Sequence, residues 1–137
     1  MNGIKVGKFF FPLDRYYFPE HTWLKIEDGL AIIGLDAFVI ENAGYLSYIE
    51  IEKSEVKRSE AIGSYESAKF VSRIFSPISG KILFVNEAVI KNPRKINENP
   101  YENWLVKIMP AKKDEIELGL TQEKELRKWI KEEEKKI

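Results

Sequence analysis

Short apolar runs separated by turn residues, rather than long helical repeats, make up most of this chain. Runs at 23–26 and 30–33 flank Glu27-Asp28-Gly29, and Asp-Gly suits a tight turn because glycine accepts a positive φ. The pattern therefore predicts a β-hairpin over residues 23–35. Five further runs predict strands at 45–52, 61–66, 70–76, 80–85 and 104–108. Without long βαβ units between them, these strands predict a mainly β fold, a small barrel or sandwich, and not a parallel sheet.

Two short helices are predicted between the strands. Asp36 can accept hydrogen bonds from the first turn of a helix over 37–43, and Gly44 suits its end. Asn86 is a second candidate cap, for a helix that cannot pass Pro93 intact because proline lacks the backbone donor. Residues 53–60 are highly charged and are interpreted as a connector.

The pattern changes near the C-terminus, where a longer amphipathic helix is predicted. Thr121 is the candidate N-cap of a helix over 122–135. Leu126, Trp129 and Ile130 follow the i, i+3, i+4 spacing that places side chains on one helical face. This stripe favours docking of the helix onto the β domain, and binding of the helix to a partner is the alternative.

The first residues are rich in aromatic side chains. We expect Phe9, Phe10 and Phe11 to be buried against the domain. The chain is accordingly divided into an N-terminal extension at 1–15 packed on the domain, a β domain at 16–110, and a C-terminal helical segment of the same domain at 111–137.

Composition narrows the function classes. The chain has 137 residues, 44% hydrophobic and 32% charged, which fits one globular domain. Its 22 basic and 22 acidic residues balance, so nothing favours nucleic acid or an anionic membrane as partner. There is no cysteine, hence no thiolate nucleophile or sulfur-ligated metal. The apolar run at 9–13 is too short for a signal-peptide core or membrane span, and a cytoplasmic location is expected.

Few side chains are suited to catalysis. His21 is the only histidine, and no Gly-x-Ser-x-Gly turn accompanies it, so a serine triad is not expected. His21 is instead interpreted as a hydrogen-bonded residue near the surface. No nucleotide-binding glycine loop or calcium loop is present. Glu50 and Glu52 are two residues apart in a predicted strand, which places both on one solvent-exposed face and does not indicate an acid/base pair. No catalytic residue and no metal ligand is assigned.

Lys69 stands out by its position near the turn between two predicted strands. A polar Glu66-Ser67 pair precedes it, and a Ser-Pro-Ile-Ser-Gly turn at 76–80 follows the second strand. Taken alone, Lys69 is one solvated lysine among many at a hairpin tip.

Motifs along the chain resemble the glycine cleavage system H-protein family in order and spacing. Glu66-Ser67-Ala68-Lys69 is similar to the family's Glu-Ser-x-Lys lipoylation hairpin. The other matching segments are His21 with Trp23, Ile33-Gly34, Ser72, Ser76-Pro77-Ile78-Ser79-Gly80, Val85-Asn86, Asn92-Pro93, Ile96-Asn97, Asn99-Pro100-Tyr101 and Trp104 to Ile108. Biotin carriers place their lysine between methionines, whereas Ala68 and Phe70 flank Lys69 here, so biotin is disfavoured.

The resemblance implies a fold, a cofactor and a set of partners. It implies a lipoyl/biotinyl-type flattened barrel, or barrel-sandwich hybrid, with short helices and a C-terminal helix. It implies lipoate joined covalently to Lys69, with Glu66 and Ser67 completing the attachment motif. The expected partners are glycine decarboxylase (P protein), aminomethyltransferase (T protein), dihydrolipoamide dehydrogenase (L protein) and a lipoate-attaching enzyme. The chain would then be a carrier of an aminomethyl group on its lipoyl arm, not an enzyme.

Three positions depart from the family pattern around the cleft that holds the loaded arm. Thr22 and Arg73 replace acidic residues, and Phe38 replaces a histidine. Losing two acids and gaining a cation disfavours a protonated amine nearby. Two alternatives to glycine cleavage follow: an H-like lipoate carrier serving another pathway, such as heterodisulfide-reductase-like sulfur oxidation or a lipoate relay, or an unmodified interaction domain of the same fold.

Overall fold

Antiparallel strands dominate the computed structural model, which describes residues 2–136. The strands are β1 Gly3–Val6, β2 Phe9–Pro12, β3 Tyr16–Tyr17, β4 Thr22–Glu27, β5 Leu30–Leu35, β6 Leu46–Ile51, β7 Glu55–Val56, β8 Ala61–Ser67, β9 Val71–Phe75, β10 Gly80–Val85 and β11 Val106–Pro110. The α-helices are α1 Ala37–Ala43, α2 Glu87–Lys91, α3 Arg94–Glu98 and α4 Glu123–Glu134, with a 3-10 helix at Lys113–Leu118.

Three open sheets build the molecule. The largest has the strand order β3-β4-β5-β11-β10-β7, a second has the order β6-β8-β9, and β1 pairs with β2 alone. Every pair of neighbouring strands is antiparallel. The mainly β prediction is therefore confirmed, as is the predicted hairpin, which is β4–β5 with its turn at Asp28 and Gly29.

The buried side chains form two clusters on opposite faces of the large sheet. The inner cluster joins that sheet to the three-stranded sheet, as with Leu24 of β4 and Ile49 of β6. The outer cluster joins Trp23 of β4 to the β1–β2 hairpin and α4. Trp23 and Leu24 enter different clusters because successive strand side chains point to opposite faces.

The N-terminal segment is a strand pair, which its aromatic pattern did not predict. Phe9 and Phe11 are fully buried, as expected, whereas Phe10 is 37% exposed. The expectation for Phe10 was wrong because β2 alternates, so its middle phenylalanine faces away from the cluster. The division of the chain at residues 15 and 110 stays a prediction.

Helix α1 has the predicted bounds and caps. The Asp36 carboxylate accepts hydrogen bonds from the backbone N–H groups of Phe38 at 3.0 Å and Val39 at 3.3 Å. Gly44 ends the helix at φ 77°, a left-handed value that glycine adopts without strain.

Helix α4 docks onto the body of the protein through the predicted stripe. Leu126 and Ile130 are almost completely buried in the outer cluster, and Trp129 packs against it. The predicted N-cap was wrong, because Gln122 occupies that position and makes no side-chain cap.

The helix after Asn86 ends at Lys91, before Pro93, as predicted, and a further helix, α3, begins directly after Pro93, where a proline costs no helical hydrogen bond. Other predictions needed correction. The charged connector contains the short strand β7. Asn86 stands before α2 but donates its amide to the Trp104 carbonyl oxygen at 2.9 Å instead of capping. The final strand begins at Val106, two residues later than predicted. Within residues 2–136, no helix is long and apolar enough to cross a bilayer.

Candidate functional site

The turn between β8 and β9 carries Lys69 on a two-residue loop. The backbone N–H of Ser67 donates to the Phe70 carbonyl oxygen at 3.0 Å, which leaves Ala68 and Lys69 at the tip. The Ser67 hydroxyl oxygen accepts from the N–H of Lys69 at 3.2 Å and of Phe70 at 3.4 Å. Serine thereby closes the turn with its side chain.

The turn achieves this shape without left-handed backbone. In residues 2–136, the positive-φ residues other than glycine are His21, Asp28 and Ser59. Two-residue hairpin loops usually need positive φ at their tips, so the Ser67 hydroxyl supplies order that backbone conformation alone does not. Ser67 is a structural member of the motif, and its role is to fix the backbone under Lys69.

The Lys69 side chain is exposed, and it forms no ion pair with any residue of the described range 2–136. Phe70 steadies the base of the loop, because its ring lies 6.2 Å from that of buried Tyr65. An exposed amine on an anchored turn is open to acylation by an enzyme, which needs both access and a fixed position.

Glu66 lies on the solvent face of the three-stranded sheet. It is in register with Tyr48 of β6 on one side and Val71 of β9 on the other, and all three are exposed. Its side chain is therefore available to a protein that approaches the Lys69 turn. The structure brings Glu66, Ser67 and Lys69 together at one end of this sheet.

Strands β6 and β8 approach each other closely at Gly63, next to the hairpin that carries Lys69. A Cβ built on Gly63 would lie 1.9 Å from the Glu50 carbonyl oxygen, so no larger residue fits without moving β6 or β8. The register of β8 and β9 shifts between Ala61 and Gly63, which marks a bulge next to this contact.

An open groove of about 470 Å³ lies beside the Lys69 turn, and no sequence pattern predicts it. Its lining residues are Tyr45, Leu46, Ser47, Ser67, Ala68, Asn92, Pro93 and Arg94. The Arg94 guanidinium lies 4.2 Å from the centre of the Tyr45 ring. These residues come from three separate parts of the chain.

Asn97 fixes one wall of this groove. Its side-chain oxygen accepts from the Leu46 backbone N–H at 2.9 Å, and its amide donates to the Gly44 carbonyl oxygen at 2.8 Å. These two bonds tie α3 to the start of β6. The start of β6, which forms this wall, is thereby held in place by α3.

Of the three departures from the family pattern, Thr22 lines a cavity to which Phe38 and Arg73 do not contribute. This cavity has a volume of about 260 Å³ and also includes Glu20 and Arg58 in its lining. The Thr22 hydroxyl is buried and has no hydrogen-bond partner in the described residues. Phe38 is buried in an aromatic stack, and Arg73 is exposed on β9.

His21 is hydrogen-bonded, as predicted, and it links distant segments. Its ring lies 3.0 Å from Asp36 through Nδ1 and 2.8 Å from Glu133 of α4 through Nε2. The same ring is stacked between Phe38, at 4.4 Å, and Trp129, at 5.0 Å. The positive φ of His21, 66°, directs the chain into this arrangement.

The negative charges around His21 shift its pKa. Burial acts to lower the pKa of His21, but the hydrogen bonds and negative charges of Asp36 and Glu133 outweigh burial and raise it above its usual value. Burial likewise raises the pKa of Asp36. The pKa of Glu133 would be raised by burial, but bonds from Lys136 and His21 hold it below its usual value.

The chain is similar to known proteins over most of its length. A family model described as "Glycine cleavage H-protein" matches residues 15–133. A protein of Bacillus velezensis named "Glycine cleavage system H protein" is 40% identical over 115 residues, covering 82% of this chain and 91% of that protein. A "Probable glycine cleavage system H protein" of Thermococcus gammatolerans is 36% identical over 115 residues, covering 82% and 86%.

A solved structure agrees in shape as well. The crystal structure of a glycine cleavage system H protein from Mycobacterium marinum matches with a TM-score of 0.70 and 32% sequence identity, covering 74% of this chain and 87% of that one. The predicted lipoyl-type, barrel-sandwich hybrid fold is thereby confirmed.

Proposed function

The chain belongs to the glycine cleavage H-protein family, and we propose that Lys69 is the residue to which its lipoate is attached. The protein is a lipoyl carrier of the glycine cleavage system, a component of a multienzyme system. The observation that supports Lys69 is its exposed amine on a turn that Ser67 holds rigid. Glu66 and Ser67 complete the proposed attachment motif.

The residues around Lys69 fit an amide-linked lipoyl group. Amide formation requires an accessible primary amine, and the side chain of Lys69 is exposed with no ion pair inside the described range. Ser67 keeps the backbone beneath the amine in one conformation while the side chain moves freely. Tethering at a fixed point raises the effective concentration of the group at each partner's active site.

When bound, the lipoyl group supplies a dithiolane that carries an aminomethyl group from glycine decarboxylase to aminomethyltransferase and is reoxidised by dihydrolipoamide dehydrogenase. The chain itself supplies position, access and a surface for recognition. Glu66, between exposed Tyr48 and Val71, presents a carboxylate to the lipoate-attaching enzyme.

The partners of the chain follow from this role. We propose the P, T and L proteins as its three enzymatic partners, together with the lipoate-attaching enzyme. The chain has no catalytic activity of its own in this proposal, and its expected location is the cytoplasm.

The attachment site is tested by intact-protein mass spectrometry. The protein is incubated with a lipoate ligase, lipoate and ATP, alongside the variant Lys69→Arg and the control Lys81→Arg, an exposed lysine on β10. We expect the wild type and Lys81→Arg to gain one lipoyl group and Lys69→Arg to gain none, with its circular dichroism unchanged. Lipoylation of Lys69→Arg would refute the assignment.

A further inference from the structure

The hairpin β1–β2 and α4 cover only part of the outer face of the large sheet. The outer cluster takes its sheet residues from β3, β4 and β5. On β10 and β11 the same face presents Leu83, Phe84 and Met109, whose side chains are 44%, 55% and 48% exposed. These three residues, with Trp104 and Lys107 beside them, are called the β10–β11 patch.

We propose that the β10–β11 patch is a docking surface for an apolar and acidic surface segment of one of the three enzymatic partners. This inference rests on the proposed carrier role, because it concerns an enzyme that the carrier visits. Docking at the patch orients the carrier so that an arm on Lys69 can enter the active site of that enzyme.

A β-bulge exposes two consecutive side chains of β10. The pairing of β10 with β11 shifts in register between Ile82 and Phe84, so Leu83 is the additional residue. Ile82 and Val85 pack against the inner cluster, whereas Leu83 and Phe84 are exposed. A regular strand would turn one of these two side chains inward. The bulge therefore enlarges the apolar surface on the outer face.

The ammonium group of Lys107 is the charge at the centre of the patch. It lies 4.9 Å from the centre of the Trp104 ring and 6.0 Å from that of Phe84. Within residues 2–136 it forms no ion pair. Two aromatic rings therefore hold in place a cation that has no carboxylate partner in the described part of the chain.

The basic residues next to the patch have acidic neighbours within the protein. Lys25, two strands away from Lys107 in the same cross-strand row, pairs with Asp14 at 3.4 Å. Lys81 of β10 has Glu55 of β7 as its neighbour in register. Lys107 is thus the basic group that an external carboxylate would complement. An apolar surface that carries such a carboxylate matches the patch in both polarity and charge.

The patch lies toward the end of the molecule that carries Lys69. Val85, which follows Phe84, lines a surface groove together with Tyr48. Tyr48 is in register with Glu66, near the base of the turn that carries Lys69. One enzyme can therefore contact the patch and receive the arm without covering the turn. The small size of the patch suits a carrier that must leave each enzyme, because transient complexes bury little surface.

Zero-length cross-linking tests the contact. The lipoylated protein is mixed separately with glycine decarboxylase, aminomethyltransferase and dihydrolipoamide dehydrogenase. A water-soluble carbodiimide activates a carboxylate, and an adjacent lysine amine displaces the urea to form an amide. Peptide mass spectrometry should find Lys107 linked to an aspartate or glutamate of one enzyme, and exposed Lys5 on β1 not linked. No link from Lys107 to any of the three enzymes would overturn the inference.

Steady-state kinetics measure what the patch contributes. The variants Phe84→Ser and Lys107→Glu should raise the KM of the cross-linked enzyme for the carrier about five- to tenfold and leave kcat unchanged. The controls Ile26→Ser and Lys5→Glu change an exposed apolar residue and an exposed lysine outside the patch, and should change neither constant. The same KM for wild type and Phe84→Ser would contradict docking at the patch.

The other two enzymes provide an internal control for each variant. Loss of a docking contact should raise the KM of one enzyme, whereas misfolding or poor lipoylation lowers efficiency with all three. Intact-protein mass and circular dichroism identify variants of the second kind, and Phe84→Ser, at an exposed position, remains usable if Lys107→Glu folds poorly. An equal rise of KM with all three enzymes in a folded, lipoylated variant would overturn docking to one enzyme.

Two other occupants of the patch are distinguished by sedimentation. A dimer of the wild type that is absent in Phe84→Ser would assign the patch to a second copy of the chain. Co-sedimentation with phosphatidylglycerol vesicles that is lost in Phe84→Ser would assign it to a membrane surface. Either result would overturn the inference.

Failure of this inference differs from failure of the carrier role. A protein lipoylated on Lys69 that serves all three enzymes, with KM values unchanged by Phe84→Ser, refutes the docking surface and leaves the carrier role intact. A protein that is not lipoylated on Lys69, or that serves none of the enzymes when lipoylated, refutes both.

Discussion

At the scale of single residues, Ser67 decides the shape of the turn that matters most. Its hydroxyl accepts from two consecutive backbone N–H groups, those of Lys69 and Phe70. Without it, both donors would face water at a loop whose backbone has no left-handed residue to tighten it. Ser67, two residues before the proposed attachment site Lys69, therefore orders the backbone of the turn, while Glu66 is exposed on the sheet surface.

Replacing Ser67 with alanine should loosen this turn. We expect faster hydrogen exchange at the Lys69 and Phe70 amides and a loss of about 1 kcal/mol or less in the free energy of unfolding. Lipoylation should slow, because the ligase must capture the turn in one conformation. Amide exchange by NMR and the initial lipoylation rate measure these effects.

Ser72→Ala is the matched control for that variant. The Ser72 hydroxyl donates to its neighbour's carbonyl oxygen at Arg73 and makes no bond in the turn. An equal change in both variants, or none in Ser67→Ala, would contradict the role given to Ser67.

At the scale of elements, His21 fastens α4 to the rest of the protein. Its ring joins Glu133 of α4 to Asp36, the N-cap of α1, and Trp129 of α4 covers one face of the ring. Lys136 in turn pairs with Glu133. One imidazole therefore connects two helices and the strand that follows it.

The fastening should depend on pH. Because the pKa of His21 is raised in the folded state, its charged bonds stabilise the protein fully below the unfolded pKa of about 6.5. Their contribution is lost as the pH rises through the raised value. Since His21 is the only histidine, its titration is read directly from one set of imidazole NMR signals.

Two variants make the titration decisive. Glu133→Gln removes one of the negative charges next to His21, so the pKa of His21 should fall and α4 amides should exchange faster near neutral pH. Glu132→Gln changes an exposed neighbour that does not touch His21. A wild-type pKa below about 6.5, or equal effects of the two variants, would contradict the fastening.

Elements that are determined by residues close together in the sequence are predictable, whereas features that depend on distant residues are not. The β4–β5 hairpin and α1 are predictable because two short apolar runs, Asp28-Gly29 and Asp36 are local signals. The strand β7 was missed because two residues in a charged edge give no periodicity. Resemblance to a family pointed to Lys69, whose local sequence alone is unremarkable.

The groove was beyond sequence reasoning for a related cause. It is assembled from residues 45–47, 67–68 and 92–94, and these segments are brought together by the pairing of β6 with β8 and the packing of α3 against β6. The sequence likewise does not predict that Thr22 lies in a cavity without Phe38 and Arg73, because alternation along strands does not tell which residues share a cavity.

At the scale of the whole molecule, other layers pack on both faces of the large sheet. The three-stranded sheet that carries Lys69 packs on the inner cluster, and the N-terminal hairpin and α4 pack on the outer one. The sheet that carries Lys69 and the outer layer, formed by the N-terminal hairpin and α4, thus pack against opposite faces of one sheet.

This layering predicts that damage to the outer layer lowers stability without changing the site. Leu126→Ala should cost about 2–5 kcal/mol in the free energy of unfolding, because Leu126 is fully buried. Under folding conditions, lipoylation of Lys69 should proceed at the wild-type rate. Urea unfolding and the ligase assay measure the two quantities.

Lys128→Ala is the control on the same helix, since Lys128 is exposed, and it should change stability by about 0.5 kcal/mol or less. A Leu126→Ala protein that unfolds like wild type, or one that is folded but poorly lipoylated, would contradict the separation of the two layers.

The outer layer also has a consequence for biosynthesis. Ile4, Phe9 and Phe11 lie in one cluster with Leu126 and Ile130, so contacts there join parts of the chain separated by more than a hundred positions. During translation the β1–β2 hairpin leaves the ribosome before α4 has been synthesised, and its apolar face is exposed to solvent until then. At about 5–20 residues per second, synthesis of the intervening residues takes roughly 6–25 seconds, during which chaperones can bind the exposed apolar face.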